Sequence, residues 1–148
     1  MKKKYKSVGI ILAAVVLLLA GYLCLSGNDM SYNTALKANW EISLPSGGKE
    51  IFVKKIPEES FNGDGERYRV YMYDETPVFD KAMVWSDNVA NESRFLEIVE
   101  NMQPEYAPDL SKDNVRCFHM TGDSDARNKL WVIYDEDTGL VFVVEDFF

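Results

Sequence analysis

Histidine and cysteine are almost missing from this chain. His119 is the only histidine, and the two cysteines are Cys24 and Cys117. Nucleophilic triads, zinc sites and most acid–base pairs lean on histidine, so one copy leaves them little to work with. Cys24 falls inside an apolar run. Cys117 therefore has no partner in the remainder, and an intramolecular disulfide is excluded there. Basic residues are also scarce once the first few positions are set aside. Four of the sixteen Lys/Arg precede the apolar run, so the rest of the chain carries twelve against all 24 Asp/Glu, a formal charge of −12. Such a surface repels phosphate backbones, which excludes nucleic acid as a partner and leaves basic partners or cations as the attracted classes. No internal repeat or low-complexity tract breaks the sequence, and no nucleotide motif occurs in it.

What is present is concentrated at the start. Lys2, Lys3, Lys4 and Lys6 precede an uncharged apolar run over 8–25, and Ser26-Gly27-Asn28-Asp29 closes it. Eighteen helical residues span about 27 Å, close to the ~30 Å hydrocarbon core of a bilayer. Cationic flanks stay on the cytoplasmic side, so the segment predicts a single-pass anchor with everything after residue 28 outside the cytoplasm. Cleavage at Cys24-Leu25-Ser26, which would release a secreted product, is the alternative. Lipidation at Cys24 is a third reading, opposed by bulky Tyr22 and Leu23 where small residues are needed. The domains expected are an anchor or signal segment over 1–27, a juncture with a short helix over 28–39 and an exported domain over 40–148.

The exported part is long enough for one core of its own. A short helix is expected near residues 28–39, capped by Ser31 or Asn33. Pro45-Ser46-Gly47-Gly48 is a turn. Residues 50–56 read as a strand with Ile51 and Val53 on one face and Phe52 on the other. Residues 67–73 read as a second strand with Tyr68, Val70 and Met72 on one side. The stretch 74–89 has Pro77 as a breaker and no assignable period. Asn91 or Ser93 opens a helix in which Phe95, Ile98, Val99 and Met102 recur at helical spacing. Strands come next at 115–120, 130–134 and 140–145, the last two joined by a turn with Gly139 in the left-handed position. Both faces of 140–144 are apolar, which suits a central strand. The fold class is α+β: an N-terminal transmembrane helix, then one small domain with a mainly antiparallel sheet and one or two covering helices.

Chemistry is thin. Cys117 and His119 share a strand face, yet alternate positions lie roughly 7 Å apart and no third group orients them. Asp135, Asp137 and Asp146 have the spacing of a calcium loop, but Leu140 stands where glycine is needed and Val141 and Val143 occupy ligand positions. Asp123 and Asp125 read as a solvated loop. No catalytic, cofactor-binding or metal residue is assigned, and no cofactor is expected. The segment that looks specified is Phe61-Asn62-Gly63-Asp64-Gly65-Glu66-Arg67-Tyr68. It reads as a tight turn that sets strand register, or as a partner-recognition loop of Asp64, Glu66 and Arg67.

With Trp40-Glu41-Ile42-Ser43-Leu44-Pro45, that segment resembles small, functionally uncharacterised envelope proteins of Firmicutes. The resemblance covers about a quarter of the chain. It implies a Gram-positive envelope location and carries no activity. The expected function is a membrane-tethered extracytoplasmic interaction module with an unknown protein or envelope partner, of immunity or accessory type. The exported domain is expected to be monomeric. The alternative is an envelope enzyme working through an Asp/Glu carboxylate pair.

Overall fold

The structure, a computed structural model, describes residues 27–57, 64–102 and 104–148. The expected anchor over 8–25 and the glycine turn at 62–63 lie outside the described residues. Among the described residues no helix is long and apolar enough to cross a membrane. The chain divides between Ala35 and Leu36, and the second unit, Leu36–Phe148, holds the sheet.

Helix α1 (Gly27–Trp40) runs through both expected caps, Ser31 and Asn33. It ends where Glu41 takes the left-handed conformation at φ 58°, while the Glu41 amide and the Lys37 ammonium both donate to helix-end carbonyls. The strands are β1 (Lys49–Ile56), β2 (Gly65–Met72), β3 (Val115–Thr121), β4 (Lys129–Asp135) and β5 (Leu140–Phe147). They form one antiparallel sheet in the order β1-β2-β5-β4-β3. The last hairpin therefore is central, as its two-sided apolar pattern requires: Val141, Phe142, Val143 and Val144 are all buried.

Helix α2 (Glu92–Met102) covers one face. Its Phe95, Ile98 and Met102 pack on Tyr68, Val70, Trp131, Ile133, Phe142 and Val144. The Trp131 indole donates to the Ala90 carbonyl at 2.7 Å, which pins the chain just ahead of the helix. Asn91 opens α2 with its backbone rather than its side chain. It sits at φ 54°, and its carbonyl accepts from the Arg94 and Phe95 amides.

The opposite face is covered too. Trp40 lies against Phe147 with ring centroids 5.6 Å apart, and its indole donates to the buried Glu145. Phe79 and Trp85, from the irregular segment between β2 and α2, reach Tyr134 and Phe118. Strand β1 departs from simple alternation. Its register shifts between Glu50 and Phe52, so Ile51 is the extra residue of a bulge. Phe52 consequently joins Tyr68 on the α2 side with Ile51 packed against the same core, while Val53 faces outward. The bulge and the charged Lys54 and Lys55 blunt this edge against pairing with another chain.

Candidate functional site

Two of the concavities among the described residues stand at opposite ends of the sheet. The first, about 540 Å³, is lined by Ile56, Pro57, Gly65, Glu66, Arg94, Asn101, Asp146, Phe147 and Phe148. Glu66 and Asp146 are directly opposed across β2 and β5, so both carboxylates project toward α2. Arg94, on the first turn of α2, meets them there. Its Nε donates to Asp146 Oδ2 at 2.8 Å, and its Nη2 donates to Asp146 Oδ1 and Glu66 Oε1, both at 2.9 Å. Nη1 lies 3.2 Å from Glu97 Oε2. The fork thus holds one carboxylate in two-point contact and bridges to two others. These hydrogen bonds, that to Asp146 foremost, raise the guanidinium's proton affinity above its ordinary value against the cost of burial.

The three residues expected to form a recognition loop are not brought together. Glu66 faces the Arg94 cleft. Arg67, its neighbour on the strand, points to the other face, with Cζ 4.8 Å from the Phe147 ring centroid. Asp64 is exposed and within the field of Arg127. The physical reason is the two-residue repeat of a strand, which places consecutive side chains on opposite faces. Gly65 has its own role. At φ +115°, a Cβ there would stand 2.4 Å from the Ile56 carbonyl, so the chain closes on β1 only with glycine.

Cys117 and His119 do share a face, as the alternation implied. Burial pushes the Cys117 thiol up to about 11, with Asp87 and Glu92 adding to it. His119 is lowered by burial and then by Lys129, with Trp131 5.4 Å away and Asn91 Nδ2 at 3.4 Å. A protonated thiol beside a neutral imidazole is no activated nucleophile.

The Asp135 turn does not close on Asp146. The latter lies at the far end of β5, about 20 Å away at ~3.3 Å per residue. The Asp135 carboxylate instead accepts from Asn114 Nδ2 at 2.9 Å and from the Asp137 and Thr138 amides. Asp125 is clasped by Arg127, whose hydrogen bonds lower its carboxyl to about 2. Among the described residues no group of three or more His, Cys, Asp or Glu could hold a metal ion.

The second concavity, about 440 Å³, is lined by Pro45, Ser46, Gly47 and the run from Tyr73 to Val78. The Tyr73 hydroxyl donates to the Pro45 carbonyl at 2.9 Å and ties its two walls. Neither Arg94 nor this groove was visible as a site in the sequence. The available signals were Pro77 and the aperiodic stretch around it. Comparison with protein-family models, with curated proteins and with solved structures yields no match.

Proposed function

We propose that the chain is a membrane-tethered interaction module, held by residues 8–25 with its N-terminus in the cytoplasm and its domain facing out. The observation that supports it best is the Arg94 clamp. Acid–base catalysis by paired carboxylates needs one group that holds a transferable proton and another free to take one. Glu66 and Asp146 instead accept from the same guanidinium, and Asp146 is 1 % exposed. This pair ties the β2–β5 end of the sheet to α2. The acidic surface favours a protein or envelope component with basic groups, in keeping with an immunity or accessory role and with the resemblance to Firmicutes envelope proteins. The exported domain works as a monomer in this reading.

Cross-linking in intact cells, followed by purification of the full-length chain from its own membranes, tests the proposal. The expected result is a discrete partner absent when an unrelated domain is carried on the same anchor. Recovery of nothing beyond that control counts against it. The competing reading, an envelope enzyme using Glu66 and Asp146, is favoured by their convergence in a cleft of about 540 Å³. It requires Glu66→Gln to abolish a turnover while partner capture is unaffected.

A further inference from the structure

The segment 73–91 connects β2 to α2 with no regular helix or strand of more than a single bridge. Connections beyond about 12–15 residues are uncommon in small domains and are usually either functional or loose linker segments. This one is well anchored. The Tyr73 amide donates to the Gly139 carbonyl at 3.0 Å, and Ser86 and Cys117 exchange amide hydrogen bonds at 2.8 Å. Phe79 and Trp85 meet edge to face with ring centroids 4.7 Å apart, and Phe79 also reaches Tyr134. A Cβ at Gly48 would stand 2.4 Å from Tyr73 Cζ, so that turn is built around the ring. The groove between them is therefore formed before any partner arrives.

Its surface is unlike the Arg94 cleft. Val78 is 87 % exposed, the highest value for a large hydrophobic among the described residues. Pro45, Tyr73 and Pro77 extend its apolar surface, and the lining contains Asp74 and Glu75 but no Lys, Arg or His. Among the described residues, neither carboxylate has a hydrogen bond or ion pair. Asp80 nearby is occupied by the Ala82 amide, and the carboxylates of the other cleft are occupied by Arg94.

Resting on the reading of the chain as an interaction module, we infer that this groove docks a polypeptide segment that sets Lys or Arg beside aliphatic or proline residues. The cation meets Asp74 and Glu75 while the apolar neighbour covers Val78 and Pro77. A small ammonium ion would leave that apolar surface bare, and an anionic lipid headgroup would be repelled.

The test uses the full-length chain in uncharged detergent and fluorescent twelve-residue peptides made of Lys-Pro-Leu-Lys, Glu-Pro-Leu-Glu or Lys-Ser-Ser-Lys repeats. Anisotropy is expected to show binding of the first, none of the second, and at least about fivefold weaker binding of the third. Asp74→Asn/Glu75→Gln should weaken the first peptide about fivefold or more, and Val78→Ser about threefold. Glu100→Gln/Asp123→Asn removes equal charge from exposed positions away from the groove and should change affinity less than about twofold. Equal loss in both double variants, or none in either, overturns the inference, as does absence of binding by the Lys-Pro-Leu-Lys peptide. A partner cross-linked in native membranes whose capture survives Asp74→Asn/Glu75→Gln also overturns it while leaving the interaction reading intact.

Discussion

Arg94 and His119 show how single residues set the acid and ionic behaviour of the domain. Asp146 is almost fully buried, and both of its carboxylate oxygens accept from the Arg94 guanidinium. Arg94→Met should strand that carboxylate and cost about 2–4 kcal/mol, somewhat below the ~3–5 kcal/mol of a fully buried pair because Arg94 keeps solvent contact. Glu97→Gln, on the exposed arm of the same cluster, should cost less than about 0.5 kcal/mol. Urea titration of both variants checks the contrast, and equal losses would contradict the clamp. His119 works in the opposite sense. Burial, and then Lys129, lower its proton affinity in the folded state. The unfolded chain therefore binds more protons as pH falls below about 6.5, and stability drops from that point down through the lowered folded value. His119→Gln should flatten the melting-temperature slope between pH 7 and pH 5. An unchanged slope would show that another group carries it.

At the level of elements, α2 and the β4–β5 turn are the parts whose sequence and structure agree most closely. Ile98 is fully buried in the α2 seam, whereas Leu96 on the same helix is 47 % exposed. Ile98→Ala should cost about 2–4 kcal/mol, and Leu96→Ala less than about 1 kcal/mol. Similar losses in chemical denaturation would mean that the helix packs differently. In the turn, Gly139 adopts φ +69°, and a Cβ there would stand 2.6 Å from the Tyr73 carbonyl that borders the groove. Gly139→Val should cost on the order of 1–3 kcal/mol from the backbone alone, with the steric clash adding to it. Asp137→Asn should be nearly silent, since its side chain is exposed and only its amide is used, toward Asp135. A calcium-dependent melting shift abolished by Asp137→Asn would instead identify a cation site. The glycine was legible from the Asp-Glu-Asp-Thr-Gly pattern. Its closeness to Tyr73 was not, because β2 and the turn are far apart along the chain.

For the whole molecule, orientation is the property the residues argue most directly. Four lysines ahead of an eighteen-residue apolar run should retain the N-terminus in the cytoplasm and send the acidic remainder across. The protein should then resist extraction by alkali, and external protease should digest the domain in intact protoplasts. Replacing Lys2, Lys3, Lys4 and Lys6 with glutamate should slow or scramble insertion. A C-terminal reporter active only in the cytoplasm would overturn this orientation. A soluble product beginning near Gly27 would establish cleavage instead.

What the sequence determined by itself is what depends on local period and on the nature of each side chain. The α2 stripe of Phe95, Ile98 and Met102, the five strands, the central place of the two-sided apolar hairpin and the left-handed Gly139 all derive from neighbours within a few residues. The α+β class derives from their order. Tertiary structure alone decided which distant groups meet. The β1 bulge moved Phe52 to the core side, and the long return of β2 beside β5 set Glu66 against Asp146 under Arg94. It also filled the second face of the sheet with Trp40, Phe79 and Trp85, and left Asp74 and Glu75 beside Val78 in an open groove. The reason is the same in each case. Periodicity says which face a side chain takes, but only strand order and register, set by burial summed over the whole sheet, say what stands opposite it.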